Sequence, residues 1–262
     1  MFKPVFIQAR DLDDCWFQLL SELYEKGRRY KITDGSYAGH ERVVFDFVSG
    51  FISYPHTRPL APQIPETCPL PPPTTEREIY HYFAEYLMDS RLAENEHYRY
   101  ATWLVGGEYK MPPIEGRYLK SSITFPPWEV RVPNQLQWVI DHFKSKGFGN
   151  EHCYITIGYP ESNFAYDVPY SNPTERMTSP CLRGLDFRVI ECEGKYYLLT
   201  HVIYRSWDLV SGWPTNMGGF TLLNEYVASE LEINPGPLAF SCKSLHCYDF
   251  TFDYLKARLG KE

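Results

Sequence analysis

A cysteine follows a proline in S-P-C-L-R-G, which begins at Ser179, and the cluster Y-R-S-W-D follows from Tyr204 to Asp208. Asn216 lies beyond a Gly-x-Pro turn, and His246 and Tyr248 form a His-x-Tyr pair in L-H-C-Y-D-F. The thiolate is the nucleophilic form of cysteine, and a cationic neighbour such as Arg205 favours it. A guanidinium fork also suits phosphate, with Ser206 beside it as a further donor. A carboxamide offers a donor and an acceptor side by side. Taken singly, each residue has a plainer reading. A cysteine is most often a small buried apolar side chain, an Arg-Ser-x-Asp run a surface strand with an ion pair, and a His-x-Tyr pair part of a core.

In this order and spacing, the residues resemble the thymidylate synthase and pyrimidine nucleotide hydroxymethylase family. The P-C-L and R-S-W-D variants are similar to its short archaeal-type synthases. The resemblance is specific from about residue 150 to 250 and holds only in outline before that. It implies an α+β fold: a single domain over residues 1–262, built on a large bent mixed β-sheet flanked by helices. It also implies that Cys181 adds to C6 of a pyrimidine nucleoside monophosphate, which makes C5 a carbanion equivalent. That carbon would attack the one-carbon unit of 5,10-methylene-tetrahydrofolate or a related tetrahydropterin. Arg205 and Ser206 would then hold the phosphate, Asp208 would face the pterin and the water network by the base, and His246 with Tyr248 would contact the sugar. Asn216 would accept from uracil N3–H and donate to O4. Relatives acting on deoxycytidylate carry aspartate there, so Asn216 favours uracil.

Upstream, Tyr100 in Y-R-Y-A resembles a tyrosine near the reacting base, with alanine replacing the family's glycine. The general-base glutamate is Glu85 or its competitors Glu94 and Glu96. The N-terminal phosphate arginine is Arg42 or Arg58. The chain also departs from bacterial-type members. Leu182 stands where they have a histidine after the nucleophile. G-N-E-H-C-Y replaces a paired arginine lent across a homodimer, leaving His152 as the cationic candidate. Only a short tail follows Tyr248, which leaves room for water to quench the exocyclic methylene. Three functions therefore stand side by side: reductive methylation of deoxyuridylate, hydroxymethylation of deoxyuridylate, deoxycytidylate or cytidylate, and a degenerate relative that only binds nucleotide. No metal is expected.

The composition is that of a globular protein, 44% apolar and 23% charged. A net charge of −7 gives no general attraction to nucleic acid, so anionic ligands fall to a few placed arginines. The seven cysteines lack framework spacing and read as reduced thiols. Neither a signal-peptide pattern nor an apolar run of about 18 residues is present. A cytoplasmic protein is the expectation.

The elements that must position the chemistry follow from pattern. Residues 4–9 read as a strand and Asp11 or Asp13 as the cap of a helix that stops at Gly27. Residues 42–52 read as one or two strands. Eight prolines between Tyr54 and Thr75 make an extended, ordered surface loop. Thr74 and Thr75 cap a helix over 76–92. Residues 106–133 are irregular, 135–144 helical and 153–157 a strand, and 159–178 form a polar loop. A hairpin turns at Glu193-Gly194 between strands 185–190 and 196–204. Residues 220–231 read as a buried helix, 235–240 as a lead into a last strand near His246, and 254–259 as a terminal helix.

Overall fold

The computed structural model describes residues 1–262 except 34–36, 65, 67, 69, 95, 170–176 and 262. Strand β1 (Val5–Ala9) alternates buried and exposed residues, as a strand with one covered face must. Helix α1 (Leu12–Lys26) is capped by Asp11, whose carboxylate accepts from the Asp14 amide. It buries Trp16, Leu19, Leu20 and Leu23 along one stripe. Strands β2 (Arg28–Lys31), β3 (Glu41–Val44) and β4 (Val48–Ile52) follow, so the valine-rich stretch is two strands and β2 adds a partner absent from the sequence pattern.

The proline-rich connection is ordered where described. It buries Leu60, donates Ala61 N–H to Glu76 and Gln63 N–H to Asp13, and holds Arg58 against Glu225 at 2.7 Å. Helix α2 (Glu76–His81) starts on a Thr75–Glu78 capping box. It continues as a π-helical turn, Tyr82–Leu87, and stops short of residue 92. Helix α3 (Ala101–Leu104) leads into β5 (Gly107–Met111), which pairs with β6 (Trp128–Val132); the stretch read as irregular thus holds a hairpin. Helix α4 (Gln135–Lys146), β7 (Tyr154–Thr156) and a 3₁₀ segment at Pro160–Asp167 come next.

Strands β8 (Leu182–Cys192) and β9 (Lys195–Tyr204) join through Glu193 and Gly194, both at positive φ. After the short β10 (Trp207–Asp208), helix α5 (Trp213–Glu230) begins seven residues before the expected start at 220. Pro214 is tolerated in its first turn, where no amide partner is needed. Strands β11 (Asn234–Cys242) and β12 (Leu245–Tyr248) and helix α6 (Asp249–Arg258) complete the chain.

The main sheet has six strands in the order β1-β4-β11-β9-β8-β7, with parallel and antiparallel pairs. A second sheet runs β10-β12-β3-β2. This mixed α and β architecture matches the expected fold class. Buried Asn224 of α5 donates to Leu198 O and Thr200 Oγ1 and accepts from Gly236 N–H. Those bonds pin the helix to β9 and β11 where the β11 register shifts. Trp16 Nε1 donates to Leu209 O at 2.9 Å, tying α1 to the turn after β10. Both anchors are buried, so the middle of α5 is fixed on β9 and β11, and α1 on the turn after β10. Among the described residues no helix is long and apolar enough to cross a membrane.

Candidate active site

Cys181 sits at the head of β8, partly exposed. Its carbonyl accepts from Arg205 N–H at 2.9 Å, and the next residue, Leu182, pairs with Tyr204. The hairpin turn therefore brings the cysteine and the arginine side by side, although 24 residues separate them. The Arg205 guanidinium reaches back over the loop before the cysteine. Nε donates to Pro180 O at 3.0 Å and Nη2 to Ser179 O at 2.8 Å, and Nη2 also bonds the Tyr166 hydroxyl. A fork donating to two successive carbonyls holds the loop that leads into the cysteine. Arg183 adds a bond from Nη1 to Ser179 Oγ.

Tyrosines close in on the cysteine. The Leu182 amide donates to the Tyr100 hydroxyl at 3.4 Å, and the Tyr100 ring meets Tyr204 edge to face. Tyr98 packs beside Tyr100, and Tyr82, on the π-helical turn, lies against the side chains of Tyr204 and Asn216. Burial raises the pKa of Tyr82, Tyr98, Tyr100 and Tyr204. All four are neutral phenols near pH 7, able to donate or accept. Of these, only Tyr100 stood out in the sequence. Tyr204 had a signal, since it directly precedes Arg205, but Tyr82 and Tyr98 belong to distant stretches with no shared pattern.

Asn216 lies in the first turn of α5, not beyond a turn, and its amide bonds Gly212 O. Its Oδ1 accepts from Trp207 Nε1 at 2.8 Å and lies 3.5 Å from the Tyr204 hydroxyl. Asp208 is partly buried. Its Oδ1 takes the amides of Val210 and Ser211, and the Ser211 side chain also bonds the carboxyl. Burial raises its pKa despite those bonds. Ser206 is half-buried in the turn between β9 and β10.

Asp208 pairs in register with His246. His246 is buried, its Nδ1 bonds Ser244 O at 2.9 Å, and among the described residues its Nε2 has no hydrogen-bond partner. Nδ1 therefore carries the proton and Nε2 is a buried acceptor. Burial pushes the imidazole pKa down to about 4. Tyr248 meets His246 edge to face and lies under the guanidinium of Arg42, which pairs with it across β3 and β12. Arg42 is thus brought to Asp208, His246 and Tyr248, whereas Arg58 is bound to Glu225.

Glu85 contacts Arg99, its backbone carbonyl at 3.0 Å and its carboxylate at 3.6 Å. Glu96 holds Arg99 more closely, at 2.6 Å, and Glu94 is exposed. His152 bonds His142 at 3.2 Å, beside the edge strand β7.

The arrangement brings a cysteine into backbone contact with an arginine, sets uncharged phenols nearby, and places a carboxamide and a carboxyl to either side of Gly212. Such a site can add a thiolate to an electron-poor ring and receive the displaced charge on donors. A family model described as thymidylate synthase matches residues 77–262. A provisionally named thymidylate synthase from Methanosarcina acetivorans is 24% identical over 252 residues, covering 95% of this chain and 92% of its own. One from Methanocaldococcus jannaschii is 30% identical over 131 residues, half of this chain and 54% of its own. Another from Methanothermobacter marburgensis is 34% identical over 83 residues, 32% of this chain and 35% of its own. The matched span runs from α2 to the end of the chain and contains Cys181, Arg205 and Asn216, and the chain belongs to the thymidylate synthase family.

Proposed function

We propose that the protein methylates deoxyuridylate at C5 by way of a covalent bond from Cys181 to C6. The observation that carries this reading is the seating of Cys181, partly exposed and strapped by the Arg205 guanidinium through Pro180 and Ser179. The thiolate adds to C6, and the electron pair of the C5–C6 double bond moves toward C5 and O4. Asn216 Nδ2 donates to O4, where that negative charge collects. Tyr100, partly buried, and Tyr204, buried, are neutral and order the space beside the sulfur without adding a competing charge. Arg42 and Arg205 share the phosphate, and the orphaned acceptor His246 Nε2 takes a sugar O–H.

The Asp208 carboxyl, with its raised pKa, fits an N–H edge of a reduced pterin, so Asp208 is the residue that would hold one. When bound, a methylene-tetrahydropterin supplies the one-carbon unit and the hydride. A carboxyl fixed by the Val210 and Ser211 amides would keep that edge oriented.

A homodimer belongs to the same reading. The face of the main sheet away from α1 and α5 carries a row in register: Gln8, Phe51, Ala239, His201, Asp186 and Tyr154. Phe6 beside it is 74% exposed. A sheet face that exposes Phe6, Phe51 and Tyr154 beside polar Gln8, His201 and Asp186 suits a second copy. Sedimentation of the wild type and of Phe51→Glu tests it, and a wild-type monomer would overturn it.

Mass spectrometry of the product tests the reaction. Enzyme is mixed with methylene-tetrahydrofolate and, separately, deoxyuridylate, deoxycytidylate, uridylate or cytidylate. A methyl product from deoxyuridylate with dihydrofolate supports a synthase, and a hydroxymethyl product assigns a hydroxymethylase. No product from any of them, with nucleotide still binding, would leave a nucleotide-binding relative.

A further inference from the structure

We propose that Trp207 sets the base preference of the site by locking the Asn216 carboxamide in one of its two flips; this rests on the reading of the site as one for pyrimidine nucleotides. A carboxamide can turn over and exchange its donor and acceptor, and a ring edge read by it is then read the opposite way. Three side chains face the Asn216 amide: Tyr82, Tyr204 and Trp207. The two hydroxyls donate or accept and tolerate either flip. The indole N–H only donates, so at 2.8 Å the atom opposite it must be oxygen.

The indole itself cannot move aside. Its ring lies parallel to Tyr204 with centroids 3.8 Å apart, and its edges meet Trp213 and Phe240. The Trp207 backbone is fixed by a bond from its amide to Ser244 O at 3.0 Å. With Oδ1 facing the indole, Nδ2 is turned the other way with the Tyr82 hydroxyl beside it, and it remains as a donor. A donor selects the carbonyl at position 4 of uracil and rejects the amino group of cytosine. An aspartate at 216 would accept from the same indole with one oxygen and offer an acceptor with the other, which reverses the preference.

Symmetry makes the test sharp. A carboxylate has no flip to lock, so Trp207 matters to base choice with asparagine at 216 and not with aspartate. Binding of deoxyuridylate and deoxycytidylate is titrated calorimetrically to wild type, W207F, N216D and W207F/N216D. The wild-type preference for uracil is expected to fall about tenfold in W207F, the worth of one net hydrogen bond. In the N216D background the same change is expected to move the ratio by less than about twofold. Benzothienylalanine encoded at 207 keeps the shape and stacking and removes only the donor, so it serves if phenylalanine disturbs the fold. An undiminished uracil preference in W207F, or equal losses in both backgrounds, overturns the role of Trp207 while leaving the nucleotide site standing. A wild type that binds neither nucleotide overturns that site and this inference together.

Discussion

Arg205 Nε donates to Pro180 O at 3.0 Å, two strands away in sequence and one residue from the candidate nucleophile. The guanidinium clamps the loop that carries the thiol, and in the proposed reaction its charge also favours the thiolate. Lysine keeps the charge and loses the planar fork. Arg205→Lys is therefore expected to lower kcat/KM for deoxyuridylate at least about a hundredfold, a loss of about 3 kcal/mol in transition-state stabilisation. Near-normal activity in Arg205→Lys would show that charge alone suffices and that the clamp is incidental.

Cys181→Ala is expected to abolish turnover while preserving deoxyuridylate binding within a few-fold, read by titration. Thiol labelling gives an independent check. Burial pushes Cys153 up to about 11 and Cys242 and Cys247 up to about 12, and raises buried Cys15 well above the ordinary thiol range. Thiols held protonated and shielded label slowly. A thiol reagent should mark Cys68, Cys181 and Cys192 first. Deoxyuridylate should then protect Cys181 at least about tenfold and leave Cys192 unchanged. Equal labelling of Cys181 with and without nucleotide counts against its place in the site.

The parts of this site that could be read in the sequence share one cause: local pattern. The alternation in β8 and β9 and the Glu193-Gly194 turn were enough to align S-P-C with Y-R-S-W-D. The start of α5 was missed because W-P-T-N reads as a turn, although a helix accepts proline where its amide has no partner. The hairpin of β5 and β6 was missed because prolines at 112, 113, 126 and 127 interrupt short strands, leaving no period long enough to read. The tyrosine cluster and the bond from Trp207 to Asn216 are tertiary facts. They depend on where the π-helical turn, β9 and α5 converge, and no window of sequence contains them.

His246 should make folding sensitive to mild acid. Its pKa lies near 4 in the folded chain against 6.5 in the unfolded one, so the unfolded state binds more protons between those values. Its contribution is intact above pH 6.5 and declines as pH falls toward 4. Between pH 7.5 and 5 this amounts to about 2 kcal/mol. Urea unfolding at fixed protein concentration, at both pH values, should show a pH dependence smaller by about that amount in His246→Asn. An identical pH dependence in the two proteins would mean that His246 is not held neutral by burial.

Tyr82 presents a different balance. Its hydroxyl oxygen is closed off from solvent and makes no well-formed hydrogen bond among the described residues, yet it lies against Asn216 and Tyr204. An unsatisfied buried hydroxyl costs about 1–3 kcal/mol, and such a cost is understandable if a ligand supplies the missing partner. Tyr82→Phe removes the orphan without changing the ring, so the variant without ligand is expected to be more stable by about 1 kcal/mol, read by chemical denaturation. Its kcat/KM for deoxyuridylate is expected to fall about tenfold, because the group that completes the bond has gone. The opposite signs are the test. Loss of stability would mean that the hydroxyl is already bonded in the free protein. A gain in stability with unchanged kcat/KM would mean that substrate never reaches it.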